Sequence, residues 1–106
     1  MSDWIDVAPA AGFSGGLCRK VDIEGVSVAV FNVDGGFFAL EDVCTHDGGE
    51  LTGGRIEGEV IECPRHGARF NVKTGEVLAP PAYEPVPTLP VRVHEGIVQV
   101  RDDRWD

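Results

Sequence analysis

Two short stretches, Cys44-Thr-His46-Asp-Gly-Gly49 and Cys63-Pro-Arg-His66-Gly-Ala68, hold the most informative residues of this 106-residue chain. Each stretch places one thiol close to one imidazole, as Cys-x-His in the first and Cys-x-x-His in the second. Thiolate and imidazole are ligands that zinc and iron–sulfur clusters accept, whereas alkaline-earth ions prefer oxygen. The pattern therefore predicts a metal site made of Cys44, His46, Cys63 and His66.

The spacing of these ligands favours iron over zinc. Structural zinc sites usually take a pair of cysteines separated by roughly two to four residues, followed by a pair of histidines. Here each half mixes Cys with His, and a single residue lies between Cys44 and His46. A C2H2 structural zinc module without redox activity remains the alternative from a different class of protein.

The two halves, each followed by glycine, resemble the signature of Rieske-type [2Fe–2S] ferredoxins, such as the ferredoxin component of bacterial aromatic ring-hydroxylating dioxygenases. The resemblance implies one cluster, with Cys44 and Cys63 on one iron and His46 and His66 on the other. It also implies an all-β fold in one domain, residues 1–106. In that fold an antiparallel β-sandwich base carries an inserted cluster-binding subdomain of about residues 42–78.

Further residues near the ligands gain a role from this resemblance. Gly48, Gly49 and Gly67 permit a close approach of the backbone, so that main-chain N–H groups can point at the bridging sulfides. Pro80 and Pro81 lie where the family has a third loop, which contains proline and covers the cluster. Each of these glycines and prolines is also compatible with a plain turn or connection.

The expected reduction potential lies at the low end of the Rieske range of roughly −150 to +300 mV. Respiratory relatives carry a disulfide between the positions of Gly49 and Arg65, and this chain has neither cysteine. They also place Ser and Tyr at the positions of Ala68 and Phe70, where the hydroxyls donate hydrogen bonds to sulfur. Such hydrogen bonds raise the potential because they stabilise the more negative, reduced cluster.

The rest of the chain reads as short strands separated by turns that contain glycine. Fourteen glycines and seven prolines leave little room for helix, and no segment keeps a 3.6-residue apolar period. The turn signals include Glu24-Gly25, Asp34-Gly35 and Glu95-Gly96, which favour hairpins. The predicted strands are residues 4–7, 17–23, 26–33, 37–40, 59–63, 68–72, 91–94 and 97–101.

Composition and charge restrict the partners and the compartment. Eighteen acidic against nine basic residues give a formal net charge of −9, which argues against nucleic acid and anionic membranes as partners. The sequence shows no secretory signal and no stretch as long as a membrane span, and its cysteines suit the reducing cytoplasm. We interpret Cys18 as a small apolar strand residue and His94 as a solvent-facing one, both without a ligand role.

Function follows from the resemblance, because the residues alone show no nucleophile–base pair and no nucleotide loop. The resemblance implies a soluble one-electron carrier without a catalytic site of its own. Such a carrier passes electrons from a flavin-containing reductase to the terminal oxygenase of a dioxygenase for aromatic hydrocarbons. We expect a monomer that meets its partners around His46 and His66, with Asp47, Glu50 and Arg65 as candidate contacts.

Other functions remain open at this stage. A stand-alone Rieske protein could serve iron–sulfur assembly or other oxygenases. The small subunit of nitrite reductase has a similar fold and size but commonly lacks the four ligands that are present here. A cysteine hydrolase using Cys63 and His66 is disfavoured, since a nucleophile and a base so close together in a turn have poor geometry.

Overall fold

A computed structural model of the protein describes residues 4–13, 15, 18–45 and 48–103. These residues form eleven β-strands and one short 3-10 helix, Ala10–Gly12. The strands are β1 (Ile5–Pro9), β2 (Cys18–Ile23), β3 (Val26–Val33), β4 (Gly36–Glu41), β5 (Arg55–Glu57), β6 (Val60–Glu62), β7 (Arg69–Asn71), β8 (Val77–Ala79), β9 (Thr88–Leu89), β10 (Val91–His94) and β11 (Ile97–Val100). Each of the eight predicted runs overlaps one strand, and β1 and β4 extend beyond the predicted residues 4–7 and 37–40. The short strands β5, β8 and β9 were not predicted.

The hairpin turns form where the glycine signals predicted them. Glu24, Asp34 and Glu95 have φ angles of 50°, 53° and 51°. The glycine after each of them has a φ angle of 88°, 77° and 79°, respectively. Two consecutive residues with positive φ are what a type I′ hairpin turn requires. These turns therefore connect β2 to β3, β3 to β4 and β10 to β11.

The strands make three sheets in which every pairing is antiparallel, which confirms the predicted all-β class. The middle sheet has the order β2-β3-β4-β9, and a three-stranded sheet has the order β1-β11-β10. The third sheet, β5-β6-β7-β8, is formed by a contiguous part of the chain. No helix among the described residues is long and apolar enough to cross a membrane.

Strand β3 separates two hydrophobic cores. Val28 and Val30 pack with Val98 and other residues of the three-stranded sheet in one core. Ala29 and Phe31, which alternate with them along β3, belong to the other core, on the side of the third sheet. The strand is thus buried on both faces, and this explains its nearly continuous apolar run.

Candidate metal centre

The first ligand loop follows β4 and is closed by two backbone hydrogen bonds. The amide of Cys44 donates to the carbonyl of Gly49 at 2.7 Å, and the amide of Gly48 donates to the carbonyl of Cys44 at 2.7 Å. Gly48 has a φ angle of 76°, a conformation that glycine adopts without strain. His46 and Asp47, between Cys44 and Gly48, lie outside the described residues.

The second ligand loop, between β6 and β7, repeats this pattern. The amide of Cys63 donates to the carbonyl of Ala68 at 2.7 Å, and the amide of Gly67 donates to the carbonyl of Cys63 at 3.2 Å. Gly67 has a φ angle of 78°. Both loops thus begin with a cysteine whose backbone is held by residues four and five positions later. The two predicted ligand pairs belong to two loops of the same backbone design.

The side chains of these loops are divided between the interior and the surface. Cys44 and Cys63 are 0% and 1% exposed and belong to the same core as Phe70. His66 is exposed. The described residues contain no group of three His, Cys, Asp or Glu side chains placed to bind one ion. Two buried thiols and one exposed imidazole are compatible with a two-iron cluster, in which thiolates and imidazoles bind different irons.

The chemical state of the cysteines also fits a cluster. All three cysteines are among the described residues, and none forms a disulfide. The thiols of Cys44 and Cys63 are therefore available as thiolate ligands on paired loops. Each lies on a loop that contains a histidine, as the donor set of a Rieske centre requires.

A buried carboxylate braces the first loop. Asp42, only 5% exposed, accepts hydrogen bonds from the amide of Leu51 at 2.7 Å and from the amide of Thr52 at 2.9 Å. The Thr52 hydroxyl donates to the second carboxylate oxygen of Asp42 at 2.6 Å. Asp42 thus ties the chain after the loop to the chain before it. The sequence reasoning missed this residue, because nothing in the pattern distinguishes it from a surface aspartate.

Cys18 lies beside this brace and not among the predicted ligands. It is half-buried against the core that contains the two loop cysteines, which confirms its interpretation as an apolar strand residue. Burial raises the pKa of the Cys18 thiol to about 11, and the charge of Asp42 acts in the same direction. A hydrogen bond with Thr52 opposes this shift. The thiol is therefore protonated and a poor nucleophile at neutral pH.

The segment that contains Pro80 and Pro81 lies against the first ligand loop. The hydroxyl of Thr45 donates to the backbone carbonyl of Glu84 at 2.7 Å. Thr45, Pro81, Tyr83 and Glu84 line a shallow surface cleft. The peptide bond between Pro80 and Pro81 is cis. Tyr83, whose location the sequence left open, is 84% exposed next to the loop that contains His46.

Charged residues around the loops are mostly paired. Lys20 contacts Glu50 at 2.5 Å, and this hydrogen bond raises the pKa of Lys20. Arg69 lies 3.5 Å from Glu62 on the second loop's side. Glu50 therefore does not add an isolated negative charge to the surface. His94, on β10, is exposed as predicted.

Two buried thiols on matched loops, each with a histidine in its sequence, provide the donor set of an iron–sulfur protein in an all-β chain. Its sequence matches the Rieske [2Fe-2S] domain over residues 3–90. The chain belongs to the Rieske [2Fe–2S] family. It is 39% identical to ferredoxin CarAc of Metapseudomonas resinovorans over 102 residues, 95% of each chain.

Solved structures agree with this assignment. One chain in the complex of reduced oxygenase and oxidized ferredoxin of carbazole 1,9a-dioxygenase superposes with a TM-score of 0.88. That chain is 41% identical, and the match covers 92% of this chain and 91% of that one. The Sphingomonas yanoikuyae B1 ferredoxin has a TM-score of 0.85 at 35% identity, with 94% and 99% of the two chains covered.

Membership of the family decides between the interpretations of the metal site. The chain carries one Rieske-type [2Fe–2S] cluster, which replaces the structural zinc alternative. The relatives named here are ferredoxins, and this chain is likewise a one-electron carrier and not an enzyme. The predicted cofactor and electron-carrier role are thereby confirmed. The family also replaces the alternative of a cysteine hydrolase that uses Cys63 and His66.

Proposed function

We propose that this protein is the ferredoxin component of an aromatic-ring dioxygenase system, and that it passes single electrons from a flavin-containing reductase to the terminal oxygenase. Exposed His66, close in sequence to buried Cys63, is the observation that carries the proposal, because it offers an electron path from interior to surface. The biphenyl dioxygenase ferredoxin subunit of Pseudomonas sp. (strain KKS102) supports the dioxygenase assignment. It is 44% identical over 79 residues, 74% of this chain and 72% of that one.

The ligand assignment is part of the proposal. Cys44 and Cys63 would bind one iron, and His46 and His66 the other. When bound, the cluster takes up and releases one electron at a time. The matched loops support this assignment, since both cysteine thiols are buried in one core.

The surroundings of the ligands complete the proposed centre. Gly48, Gly49 and Gly67 would keep the backbone close to the cluster, and the segment with Pro80 and Pro81 would cover it. The hydrogen bond from Thr45 to Glu84 supports this cover, because it joins the first loop to that segment. We place the cluster-binding subdomain at about residues 42–78 of a single domain.

Matched variants test the ligands. We expect Cys63→Ser and His66→Ala to lose the Rieske EPR spectrum, which has a lower average g than that of all-cysteine clusters. Cys18→Ser and His94→Ala should retain it, since these residues provide a thiol and an exposed imidazole outside the loops. A normal spectrum from His66→Ala, or a lost one from His94→Ala, would contradict the assignment.

Electron transfer to an oxygenase tests the role. The probe is the oxygenase of carbazole 1,9a-dioxygenase, whose complex with a similar ferredoxin is known. Dithionite-reduced protein, freed of excess reductant, should be reoxidised when mixed with this oxygenase, as followed by absorbance in a stopped-flow instrument. The cluster-free Cys63→Ser variant is the control. If the midpoint potential of this protein is below that of the oxygenase and the reduced protein still transfers no electrons, the result would count against the proposal.

We further propose that the protein acts as a monomer in the cytoplasm. Electron-transfer encounters are brief and use small interfaces, which a monomer with one exposed ligand loop can provide. The absence of a disulfide among the three cysteines is compatible with a reducing compartment. Light scattering at working concentration should give a mass near 11.4 kDa, and a stable dimer would refute the monomer.

A further inference from the structure

The two ligand loops are linked by a contact between Arg65 and Gly49. A Cβ atom built at Gly49 would lie 2.5 Å from Cζ of Arg65, 2.6 Å from a terminal nitrogen and 2.8 Å from Nε. Three atoms of the guanidinium are thus similarly close to this position. The Arg65 side chain therefore reaches from the second loop and lies against the α-carbon of Gly49 in the first.

The reason for glycine at position 49 differs from that at its neighbour. Gly48 has a positive φ angle, and a Cβ there would meet nothing within 4 Å. Gly49 is outside the positive-φ region, so its backbone would accept any residue. What a side chain at position 49 would meet is the Arg65 guanidinium. Gly49 is therefore suited to this contact rather than to a turn.

Arg65 lies in a cleft that two arginines and one glutamate line, in a chain of net charge −9. Arg55, Glu62 and Arg65 are the charged residues that line a surface cleft along the second loop, next to Cys63. Arg55 forms an ion pair with Glu57, and Glu62 with Arg69. Arg65 lies between two proposed ligands in sequence, since it follows Cys63 by two residues and precedes His66 by one.

We propose that Arg65 is a positioning residue of the cluster site, whose guanidinium braces the two ligand loops at Gly49 and favours the reduced cluster by its positive charge. This inference rests on the proposed ligand set. The brace limits how far the loops separate and so slows loss of the cluster. The charge favours the reduced state because reduction makes the cluster more negative. Arg65 is exposed, and water screens its charge, which keeps both effects modest.

Four variants separate the brace from the charge. Arg65→Gln removes both, Arg65→Lys keeps the charge but lacks the planar group, and Gly49→Ala displaces the guanidinium. Arg55→Gln is the matched control, because it removes an equal charge from the same cleft without affecting the contact at Gly49. Two readouts are needed, the midpoint potential and the rate at which a chelator removes iron.

We expect Arg65→Gln to weaken the preference for the reduced state about two- to fivefold, a fall of about 20–40 mV at 59 mV per tenfold change. Iron loss should accelerate about two- to fivefold in Arg65→Gln and Gly49→Ala. Arg65→Lys should restore the potential but not the slow iron loss. Arg55→Gln should leave iron loss unchanged.

Three results would overturn the inference. If Arg65→Gln had the wild-type midpoint potential, the wild-type rate of iron loss and a normal Rieske spectrum, the role of Arg65 would be refuted. The proposed ligand set would not be affected by this result. If Arg55→Gln lost iron as fast as Arg65→Gln, the effect would come from net charge and not from the contact at Gly49. A wild-type protein that binds no Rieske cluster would refute the ligand set together with this inference. Failure of electron transfer to the oxygenase would affect only the proposed partner.

Discussion

Gly48 and Gly67 occupy equivalent places in two loops that are far apart in sequence. Each follows its cysteine by four residues and donates its amide hydrogen to that cysteine's carbonyl. Their φ angles, 76° and 78°, are nearly identical. In both loops, therefore, a glycine with positive φ lets the chain turn back after the cysteine without strain.

Replacing either glycine by alanine should destabilise the protein through the backbone alone. An L side chain in the left-handed region costs roughly 1–2 kcal/mol. A Cβ would meet no atom within 4 Å at Gly48 and only Glu62 Oε1, at 3.5 Å, at Gly67. Urea denaturation should show this loss in Gly48→Ala and Gly67→Ala. Gly12→Ala is the control, since its site is equally open and lacks positive φ. Equal stability of all three variants would contradict the prediction.

Removing the Asp42 carboxylate should release the chain after the first loop. Asp42→Ala leaves the amides of Leu51 and Thr52 and the Thr52 hydroxyl without their acceptor, so we expect a loss of about 2–4 kcal/mol. Thr52→Val removes one donor and should cost about 1 kcal/mol. Denaturation gives the energies, and hydrogen exchange at Leu51 gives the location. Unchanged exchange at Leu51 in Asp42→Ala would disprove the brace.

The Cys18 thiol should make stability fall at alkaline pH. Its pKa is raised from 9.0 to about 11 in the folded protein, so the folded state holds this proton more tightly than the unfolded state. Its contribution is complete below about pH 9 and is lost as pH rises through about 11. Other groups titrate in both wild type and Cys18→Ala, so the difference between their free energies of unfolding isolates the thiol. We expect this difference to shrink between pH 9 and 11. A constant difference from pH 8 to 11 would refute it.

Charge should accelerate docking to a partner with a basic surface. The chain has a net charge of −9, and Lys20 neutralises Glu50 near the first loop. Stopped-flow electron transfer to the oxygenase should slow about tenfold as salt rises from about 0.01 to 0.5 M, since ions screen the attraction. Lys20→Gln exposes the charge of Glu50 and should accelerate transfer at low salt. A rate indifferent to salt would exclude electrostatic docking.

The sequence predicted the strands that carry a pattern of their own. β3, for example, has the predicted bounds, because its apolar run ends at hairpin turns on both sides. By contrast, β5 and β9 have three and two residues, and they exist only through pairing with β6 and β4. Local periodicity cannot identify such strands, since their stabilising contacts are distant in sequence.

The same distinction holds in the site. The sequence alone predicts the thiol and imidazole ligands, because their spacing is chemically specific, and this ligand set stays a prediction. The brace between Asp42 and Thr52 needed the folded chain. So did the contact between Gly49 and Arg65, two positions that a disulfide joins in respiratory relatives. Both contacts join residues that are far apart in the chain, so no local motif predicts them.

Tyr83 should contribute to oxygenase binding and not to the cluster itself. Its ring is 84% exposed in the cleft with Thr45 and Pro81, and the hydrogen bond from Thr45 to Glu84 holds this segment against the first loop. Exposed aromatic rings beside functional loops are frequent hot spots of binding, and their removal typically costs about 1–2 kcal/mol.

We therefore expect Tyr83→Ser to weaken binding to the oxygenase about tenfold, with an unchanged midpoint potential and EPR spectrum. Val93→Ser is the matched control, because Val93 is also exposed, at 50%, but lies on β10 in the three-stranded sheet. Binding is measured by titration of the oxygenase with each variant. Equal affinities of the two variants would show that docking does not use the aromatic ring beside the first loop. A changed potential in Tyr83→Ser would instead place the ring's influence on the cluster.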